Sequence, residues 1–390
     1  MNLFKTILAG SIALACVDSA FADVTIRITG STAYRGQTHK AIINILNGGA
    51  VNAAFKGANL NGASKATFIG TISGQPALGT VTIKTSWSGS VGGVQTVSNS
   101  LNVPFIPDVP SSTAVATAGA GNATGGAVVA DADVTEIPQV AMSDTYQNST
   151  PFKANTLVES KVGVVPFKWV ASKGAPTGLT NVTPQLAQAL FSNGTLPLAL
   201  FTGSSADEGT LVYATGRDPD SGTRLTAFAE TGVGVNSVVI QYLIGASGGN
   251  VTGYTPYAEQ IINGITVPEG QGGEASGGTL AGLIGNNAAT AGTGFSITYL
   301  SVGDATTAIT GGAKELTYNG SLYSVNAVAS GQYTFWGYEH LMYRSSLAGD
   351  SKTVADLLRD RLKNFDAAAP LLGAMRSSRP TDGGLVTNNY

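Results

Sequence analysis

The start of the chain alternates hydrophobic and polar positions and then changes to a helical period. Residues 24–28 place β-branched and polar side chains in turn, which predicts a strand. Residues 37–46 carry apolar side chains at the spacing of one helix face. The turn between them consists of Gly30, Ser31, Thr32, Ala33 and Tyr34. The pattern predicts a strand, a polar turn and a helix, in which Ser31 and Thr32 either cap the helix or bind an anion.

A second region has the same order. Residues 81–87 read as a strand, and residues 88–94 form a Gly- and Ser-rich turn that leads into a short helix ending near Ser98. Gly92 and Gly93 lower the helix propensity, so an ordinary Gly-Ser loop is the alternative.

The third and most informative region starts with a strand at residues 211–214 and ends with a helix that includes residues 225–230. The residues between them are Gly216, Arg217, Asp218, Pro219, Asp220, Ser221, Gly222, Thr223 and Arg224. The first N–H groups of a helix have no intrahelical partner and the helix dipole is positive there, so this turn suits an oxyanion held by Arg217, Ser221 and Thr223. The alternative is a turn capped by Ser221, with Arg217 on the surface.

The remaining periodicity predicts further α/β structure. A strand at residues 139–142 ends at Ser143 and Asp144, where open α/β sheets place ligands or where an Asp caps a turn. Residues 161–170 form an apolar run that Pro166 should break and that could cross between two lobes. The other predicted elements are a capped helix at residues 184–191, a buried segment at 235–244, a helix at 280–286, a strand at 293–299 and an amphipathic helix at 353–365.

Two segments are compositionally distinct. Residues 105–136 are rich in Ala, Gly, Val, Ser and Thr, which predicts a surface excursion that forms hairpins. Residues 332–343 are rich in aromatic side chains, which we expect to form core structure, because no basic groove accompanies them.

Composition restricts the class of protein. The chain has 390 residues, which favours two or three domains. Only 12% of the residues are charged, with 21 basic against 24 acidic side chains, so nucleic acid and anionic membrane surfaces are not expected partners.

The first 22 residues have the pattern of a secretory signal. Lys5 precedes a short apolar stretch, and Ala20 and Ala22 supply the small residues of a cleavage site before Asp23. Cleavage there removes Cys16, the only cysteine, and leaves a secreted, periplasmic or extracellular chain without a thiol. The alternative is a poor lipobox that ends at Cys16 and anchors the protein through a lipid.

Taken together, three polar strand-to-helix turns, one arginine and one buried carboxylate in a secreted α/β chain resemble the periplasmic phosphate-binding proteins of ABC importers (PstS-like). Residues 216–228 are similar to that family's Arg-x-x-x-Ser-Gly-Thr loop, and residues 30–34 to its first Gly-Ser-Thr loop. Residues 88–93 resemble its second loop and residues 141–144 its Ala-Ser-Asp stretch. The likeness extends in motif order over nearly the whole mature chain.

The resemblance implies a two-lobe α/β fold of the type II periplasmic-binding-protein class, with mixed sheets flanked by helices and a ligand cleft between the lobes. Lobe 1 would comprise residues 23–163, with the 105–136 excursion, and residues 336–390; lobe 2 would comprise residues 164–335. Hinges are expected near Val164 and Phe335. The implied phosphate ligands are Ser31, Thr32, Ala33, Ser90 with Ser88 as the alternative, Asp144, Arg217, Ser221, Gly222 and Thr223.

The resemblance further implies a monomer that captures inorganic phosphate for an ABC permease, with no cofactor and no metal. Two features depart from the family. Pro219 stands where a small or acidic residue is usual, and the carboxylate that braces the arginine is expected from Asp218 or Asp220. The excursion lengthens the gap before Asp144.

Three other functions are alternatives to phosphate capture. A secreted hydrolase is disfavoured because the chain has only two histidines, His39 and His340, and no visible base beside Ser221. The other two are a surface protein that keeps the fold without binding, and a binder of another tetrahedral oxyanion.

Overall fold

The computed structural model describes residues 23–119, 121–364 and 369–389. The predicted signal peptide, the alternative anchor at Cys16 and Phe365 of the amphipathic helix lie outside the described residues. Within them the helices are α1 Arg35–Ile45, α2 Ser90–Ser98, α3 Pro184–Asn193, α4 Ala199–Thr202, α5 Gly222–Thr231, α6 Gly277–Asn286, α7 Val302–Gly311, α8 Val325–Ser330 and α9 Gly349–Leu362. None of the described helices has the length and apolar character needed to cross a bilayer.

The strands in the described part of the chain are β1 Val24–Gly30, β2 Val51–Lys56, β3 Lys65–Gly70, β4 Val81–Ser86, β5 Val103–Phe105, β6 Ala114–Ala118, β7 Ala123–Gly125, β8 Ala127–Val128, β9 Val134–Glu136, β10 Val140–Ser143, β11 Leu157–Ala171, β12 Asn181–Val182, β13 Thr195–Pro197, β14 Leu211–Ala214, β15 Tyr242–Ser247, β16 Asn250–Pro256, β17 Gln260–Ile262, β18 Ile265–Val267, β19 Phe295–Ser301, β20 Lys314–Tyr318, β21 Trp336–Arg344, β22 Ser377–Ser378 and β23 Thr387–Asn388.

Most of these strands join one continuous mixed sheet. Its order is β13-β14-β19-β11-β21-β10-β1-β4-β3-β2-β6-β7, with β20, β12 and β8 paired beside it. The pairs β1–β10, β1–β4 and β14–β19 are parallel, whereas β11 pairs antiparallel with both β19 and β21. The predicted α/β class, with mixed sheets flanked by helices, is confirmed.

The long strand β11 connects the two halves of this sheet. Up to Pro166 it pairs with β21, and from Phe167 onward it pairs with β19. Pro166 therefore does not break the strand, and that prediction is wrong. A proline has no N–H to donate, so it is tolerated where the strand exchanges one partner for another.

The aromatic-rich segment belongs to the core, as predicted. Trp169 on β11 is fully buried and stacks on Phe335 with ring centroids 5.4 Å apart. The Tyr299 ring packs edge-on against Trp169 at 5.8 Å. Aromatic pairs in these geometries add to the stability that burial of their area provides, so they fix the crossing strands to the core.

Local capping signals are also confirmed. Thr183 accepts a hydrogen bond from the Leu186 N–H at the start of α3, and Gly194 ends that helix in the left-handed conformation. By contrast, the buried segment predicted at residues 235–244 is confirmed only in its second half: Val235 and Val238 are exposed, whereas Val239 and Ile244 are buried in the core. The β15–β16 pair forms a small separate sheet, but Ile244 on β15 and Val251 on β16 pack into the main core.

The excursion at residues 105–136 forms a hairpin, as predicted. Strands β6 and β7 pair with each other, and β6 extends the sheet beside β2. The side chain of Lys84 is fully buried and forms ion pairs with Asp108, at 2.6 Å, and with Glu136. A buried ammonium requires such partners, so these pairs hold the excursion against β4.

The C-terminal segment is held by a buried ion pair. Arg379 donates to Glu230 at the end of α5 over 2.8 Å and to the carbonyls of Thr334 and Trp336. Nearby, Asp382 accepts the N–H of Tyr146 at 2.9 Å. The C-terminal segment therefore contacts α5, the start of β21 and the turn after β10.

We expect Arg379→Met to destabilise the fold by about 3 kcal/mol or more, because it leaves the buried Glu230 carboxylate without its cation. Urea denaturation measures this loss. The exposed Arg376→Met is the matched control and should change stability little. The double variant Arg379→Met with Glu230→Gln should recover part of the loss. A single variant no less stable than the control would show that the pair is dispensable.

Candidate functional site

Hydrogen bonds between main-chain atoms join the three polar turns. The N–H of Gly89, before α2, donates to the Gly30 carbonyl after β1 at 2.9 Å. The N–H groups of Val91 and Gly92 donate to the Asp220 carbonyl, before α5, at 2.9 and 3.3 Å. The turns that the sequence indicated separately therefore form one continuous cluster.

The first turn presents main-chain donors. Gly30 has φ of +116° and a Cβ there would meet the Met142 carbonyl oxygen at 2.0 Å, so only glycine fits. The Ser31 N–H donates to that carbonyl at 2.8 Å. Among the described residues, no group accepts a hydrogen bond from the N–H of Thr32 or Ala33. Both residues line the cleft beside α1.

In the second turn, Ser90 meets Asp144. Its Oγ donates to Oδ1 of Asp144 at 2.5 Å and accepts the Asp144 N–H at 3.1 Å. The Ser88 hydroxyl is buried and makes no hydrogen bond within the described part of the chain. Of the two serines proposed for this position, Ser90 is thus the one that contacts another predicted residue.

The third turn closes over the same carboxylate. Ser221 caps α5 by accepting the Arg224 N–H at 3.2 Å. Gly222 lies so close to Asp144 that a Cβ would stand 1.7 Å from Oδ1, and the Thr223 hydroxyl donates to Oδ2 at 3.3 Å. No acceptor within the described residues takes the N–H of Gly222 or Thr223. These two N–H groups are the first of the helix, where an anion is favoured.

Arg217 is buried and held by main-chain carbonyls. Its Nε donates to the Glu274 oxygen and its Nη2 to the Ala275 oxygen, both at 2.8 Å. Neither Asp218 nor Asp220 forms the bracing hydrogen bond that was expected of one of them. Their side chains accept other donors instead, the Asp220 N–H at 3.1 Å and Asn263 at 2.5 Å respectively.

Burial changes the acidity of the carboxyl groups in this cluster. It raises the pKa of Asp144, although the Ser90 hydrogen bond and the Arg217 charge oppose the shift. Burial also raises the pKa of Asp218 to about 6 and that of Asp220 to about 7. The cost of a charge in a poorly solvated site favours the protonated form of each group.

Sequence reasoning missed two charged residues at this site. Glu339 on β21 is fully buried, its Oε2 accepts the Ser31 hydroxyl at 3.2 Å, and its Oε1 has no partner among the described residues. Arg35, the first residue of α1, lines the cleft within electrostatic reach of Asp304 and Arg217. The signals were a lone carboxylate inside an apolar aromatic strand, and an arginine directly after the first polar turn.

The structure thus brings Ser90, Asp144, Gly222 and Thr223 into direct contact, with Arg217 within electrostatic reach of Asp144. Three other predicted residues, Ser31, Thr32 and Ala33, lie on the adjoining turn. Within the described residues, no group of three or more His, Asp or Glu side chains is arranged to hold a metal ion.

No family model matches the sequence, and no curated protein matches it. The fold is similar to that of an ABC-type phosphate transport receptor from Vibrio cholerae, at 13% identity and a TM-score of 0.46, over 86% of this chain and 93% of that one. It is also similar to a putative phosphate ABC transporter substrate-binding protein with bound phosphate from Clostridium perfringens, at 12% identity and a TM-score of 0.48, over 86% and 92% of the two chains.

The regulatory domain of OxyR2 from Vibrio vulnificus is similar as well, at 8% identity and a TM-score of 0.41, over 90% of this chain and 98% of that one. The names of these structures indicate different functions, although each structure matches a similar share of this chain. The function therefore has to be argued from the residues of the site.

We expect Glu339→Gln to change how stability depends on pH. Burial and the nearby Asp144 charge raise the pKa of Glu339 well above its ordinary value of 4.5. The stability that its protonated form contributes is fully present below the unfolded pKa and is lost as pH rises toward the folded pKa. Glutamine cannot ionise, so the variant avoids that loss.

The stability of Glu339→Gln relative to the parent chain should therefore rise with pH above about 4.5, by up to about 1.4 kcal/mol per pH unit. Urea titrations at several pH values measure the difference. Glu208→Gln, at an exposed glutamate, is the control and should give a much flatter difference. A difference for Glu339→Gln as flat as the control's would mean that Glu339 ionises normally.

Proposed function

We propose that this protein is an exported binding protein that captures inorganic phosphate and delivers it to an ABC importer. One observation carries the proposal. The N–H groups of Thr32, Ala33, Gly222 and Thr223 are not used within the described residues; Gly222 and Thr223 belong to the turn that contacts the Asp144 carboxylate, and Thr32 and Ala33 belong to the adjoining turn. Unused helix N-terminal donors near a buried arginine are a setting in which an oxyanion is favoured.

The proposed ligand set combines neutral donors with one cation. The residues are Ser31, Thr32, Ala33, Ser90 with Ser88 as the alternative, Asp144, Arg217, Ser221, Gly222 and Thr223. Main-chain N–H groups and hydroxyls donate without adding charge, while the Arg217 guanidinium supplies a charge-assisted contact. No covalent step is required.

Asp144 would select the protonation state of the ligand. An ionised carboxylate only accepts hydrogen bonds, and each of its oxygens has more than one lone pair, so the Ser90 and Thr223 hydroxyls do not exhaust it. It would accept a hydrogen bond from the O–H of monohydrogen phosphate and repel the unprotonated oxygens of sulfate. Phosphate is therefore preferred over sulfate in this proposal.

Capture would involve closure of two lobes, residues 23–163 with 336–390 against residues 164–335. The exchange of partners along β11 at Pro166 and the nearby start of β21 support hinges near Val164 and Phe335. Ligand contacts that exist only in the closed state would drive closure. The proposed partner is an ABC permease, and we propose that the protein acts as a monomer outside the cytoplasm.

The surroundings of both histidines support binding rather than catalysis. His39 and His340 are fully buried, and burial lowers the pKa of each to about 3. The His39 ring bonds to the Leu60 carbonyl at 2.8 Å, and Trp87 donates to its other nitrogen at 2.9 Å. Among the described residues, neither histidine forms a hydrogen bond with Ser221. A Ser–His mechanism therefore has no support.

A surface protein without ligand binding is the second candidate, and one observation favours it. The Asp220 carbonyl already accepts the N–H groups of Val91 and Gly92 at the start of α2. A protein that satisfies these donors internally could keep the fold for structural reasons. It would show no rise in melting temperature with phosphate, whereas a ligand that binds only the folded state must produce one.

We expect Arg217→Ala to weaken phosphate binding more than 10-fold, about 1.4 kcal/mol or more, because the anion loses its charged donor. Calorimetry on the chain from Asp23, stripped of anion, measures the affinity. Arg376→Ala is the surface control, and far-UV circular dichroism checks that Arg217→Ala is folded. Full affinity in the folded Arg217→Ala variant would remove Arg217 from the site.

We expect Asp144→Asn to narrow the preference for phosphate over sulfate by at least about 10-fold, because an amide can donate to an unprotonated oxygen. Competition between the two anions, followed by calorimetry, gives the ratio of affinities. Asp350→Asn at an exposed position serves as the control. An unchanged ratio in Asp144→Asn would exclude Asp144 as the acceptor of a ligand proton.

A further inference from the structure

A cavity of about 610 Å³ opens beside the first polar turn. Its walls are formed by the start of α1, the connection between β2 and β3, the part of β11 around Pro166 and the start of α7. Thr32 and Ala33, whose N–H groups belong to the proposed anion site, line it directly. The cavity and the proposed anion site therefore share a wall.

The size of the cavity exceeds what a five-atom anion needs. Cavities of about 300 to 1,000 Å³ hold ligands of the size of small organic molecules. An anion bound at Thr32 and Ala33 would leave most of this space beside it. An organic group attached to a phosphoryl group fits the geometry better than inorganic phosphate alone.

The walls of the cavity are polar and rich in planar side chains. These side chains are Arg35, Gln37, Asn59, Asn61, Asn122 and Asp304. A hydroxyl both donates and accepts, so neighbouring hydroxyls pair well with amides, carboxylates and guanidinium groups. The Arg35 guanidinium lines the cavity within electrostatic reach of Asp304, and its donors can also reach a ligand there.

The excursion at residues 105–136 contributes to this cavity. Gly121 and Asn122 lie in the connection between β6 and β7 and line the cavity. The Ala123 N–H donates to Oδ1 of Asn61 at 3.2 Å, which joins this connection to the opposite hairpin. The segment by which the chain departs from the phosphate-binding pattern thus forms one wall beside the anion site.

We propose that this cavity receives the polyhydroxylated group of a phosphate monoester of the sugar phosphate class, while the anion site holds the phosphoryl group. The inference rests on the proposed function, because the same turns bind the phosphoryl group. Arg35 and the planar amides contact the hydroxyls. The site proposed for inorganic phosphate then also holds a phosphorylated sugar or polyol, and holds it more tightly because the cavity contacts the hydroxyls.

Calorimetry with glucose 6-phosphate, inorganic phosphate and glucose tests the inference on the chain from Asp23. We expect glucose 6-phosphate to bind at least 10-fold more tightly than inorganic phosphate, and glucose alone to bind much more weakly than either. Arg35→Met should lower the ratio of the two phosphate affinities at least 5-fold. The exposed Asn122→Ala should lower the same ratio without a risk to folding, whereas Arg376→Met should leave it unchanged.

The possible failures are distinguishable. Binding of inorganic phosphate with equal or weaker binding of glucose 6-phosphate would overturn this inference and leave the proposed function standing. Glucose 6-phosphate could bind more tightly than inorganic phosphate while neither Arg35→Met nor Asn122→Ala changes the ratio of the two affinities. That result would place the sugar outside the cavity and would also overturn this inference. The absence of binding by either phosphate would overturn the proposed function and the inference together.

Discussion

The arrangement of the site depends on the burial of one carboxylate, that of Asp144. Removing a carboxylate from water is costly unless donors compensate it, and here the Ser90 and Thr223 hydroxyls approach it from α2 and α5. Gly222 comes so close that any side chain would collide with Oδ1. The carboxylate therefore fixes which residue types are tolerated in two separate helices, and it sets how their N-termini face each other.

The sheet imposes a second constraint on the contact between α2 and α5 at Asp144. Strand β11 exchanges β21 for β19 at Pro166, so both halves of the sheet share one backbone close to the cleft. The C-terminal segment adds a further connection, because Arg379 binds Glu230 on α5 as well as carbonyls beside β21. Under the proposed two-lobe closure, a relative motion of the halves would have to preserve the shared strand β11. Bending near the exchange of strand partners at Pro166 would satisfy that requirement.

Features with local causes could be predicted from the sequence, and features with distant causes could not. The strand-turn-helix units follow from periodicity and from caps such as Ser221, which act within a few residues. The partners of Arg217 are carbonyls more than 50 residues away, and nothing near it in sequence indicates them. Likewise, Val235 and Val238 are exposed whereas Val239 and Ile244 enter the core, and the apolar run itself does not distinguish them. Tertiary context decides such positions.

If every carboxyl group at the cleft were ionised, the charges there would be unfavourable for an anion. Among the described residues, the carboxyl groups of Asp144, Asp218, Asp220 and Glu339 outnumber the arginines of this region, which are Arg35, Arg217 and Arg224. Burial, however, raises the pKa of all four, which favours their neutral forms. A protonated carboxyl carries no charge that repels an anion, and its O–H can donate a hydrogen bond. In the proposed site, Asp144 would remain the ionised acceptor, because the Ser90 and Thr223 hydroxyls and the Arg217 charge oppose the shift of its pKa. Protonated Asp218, Asp220 and Glu339 would add no repulsion to the anion.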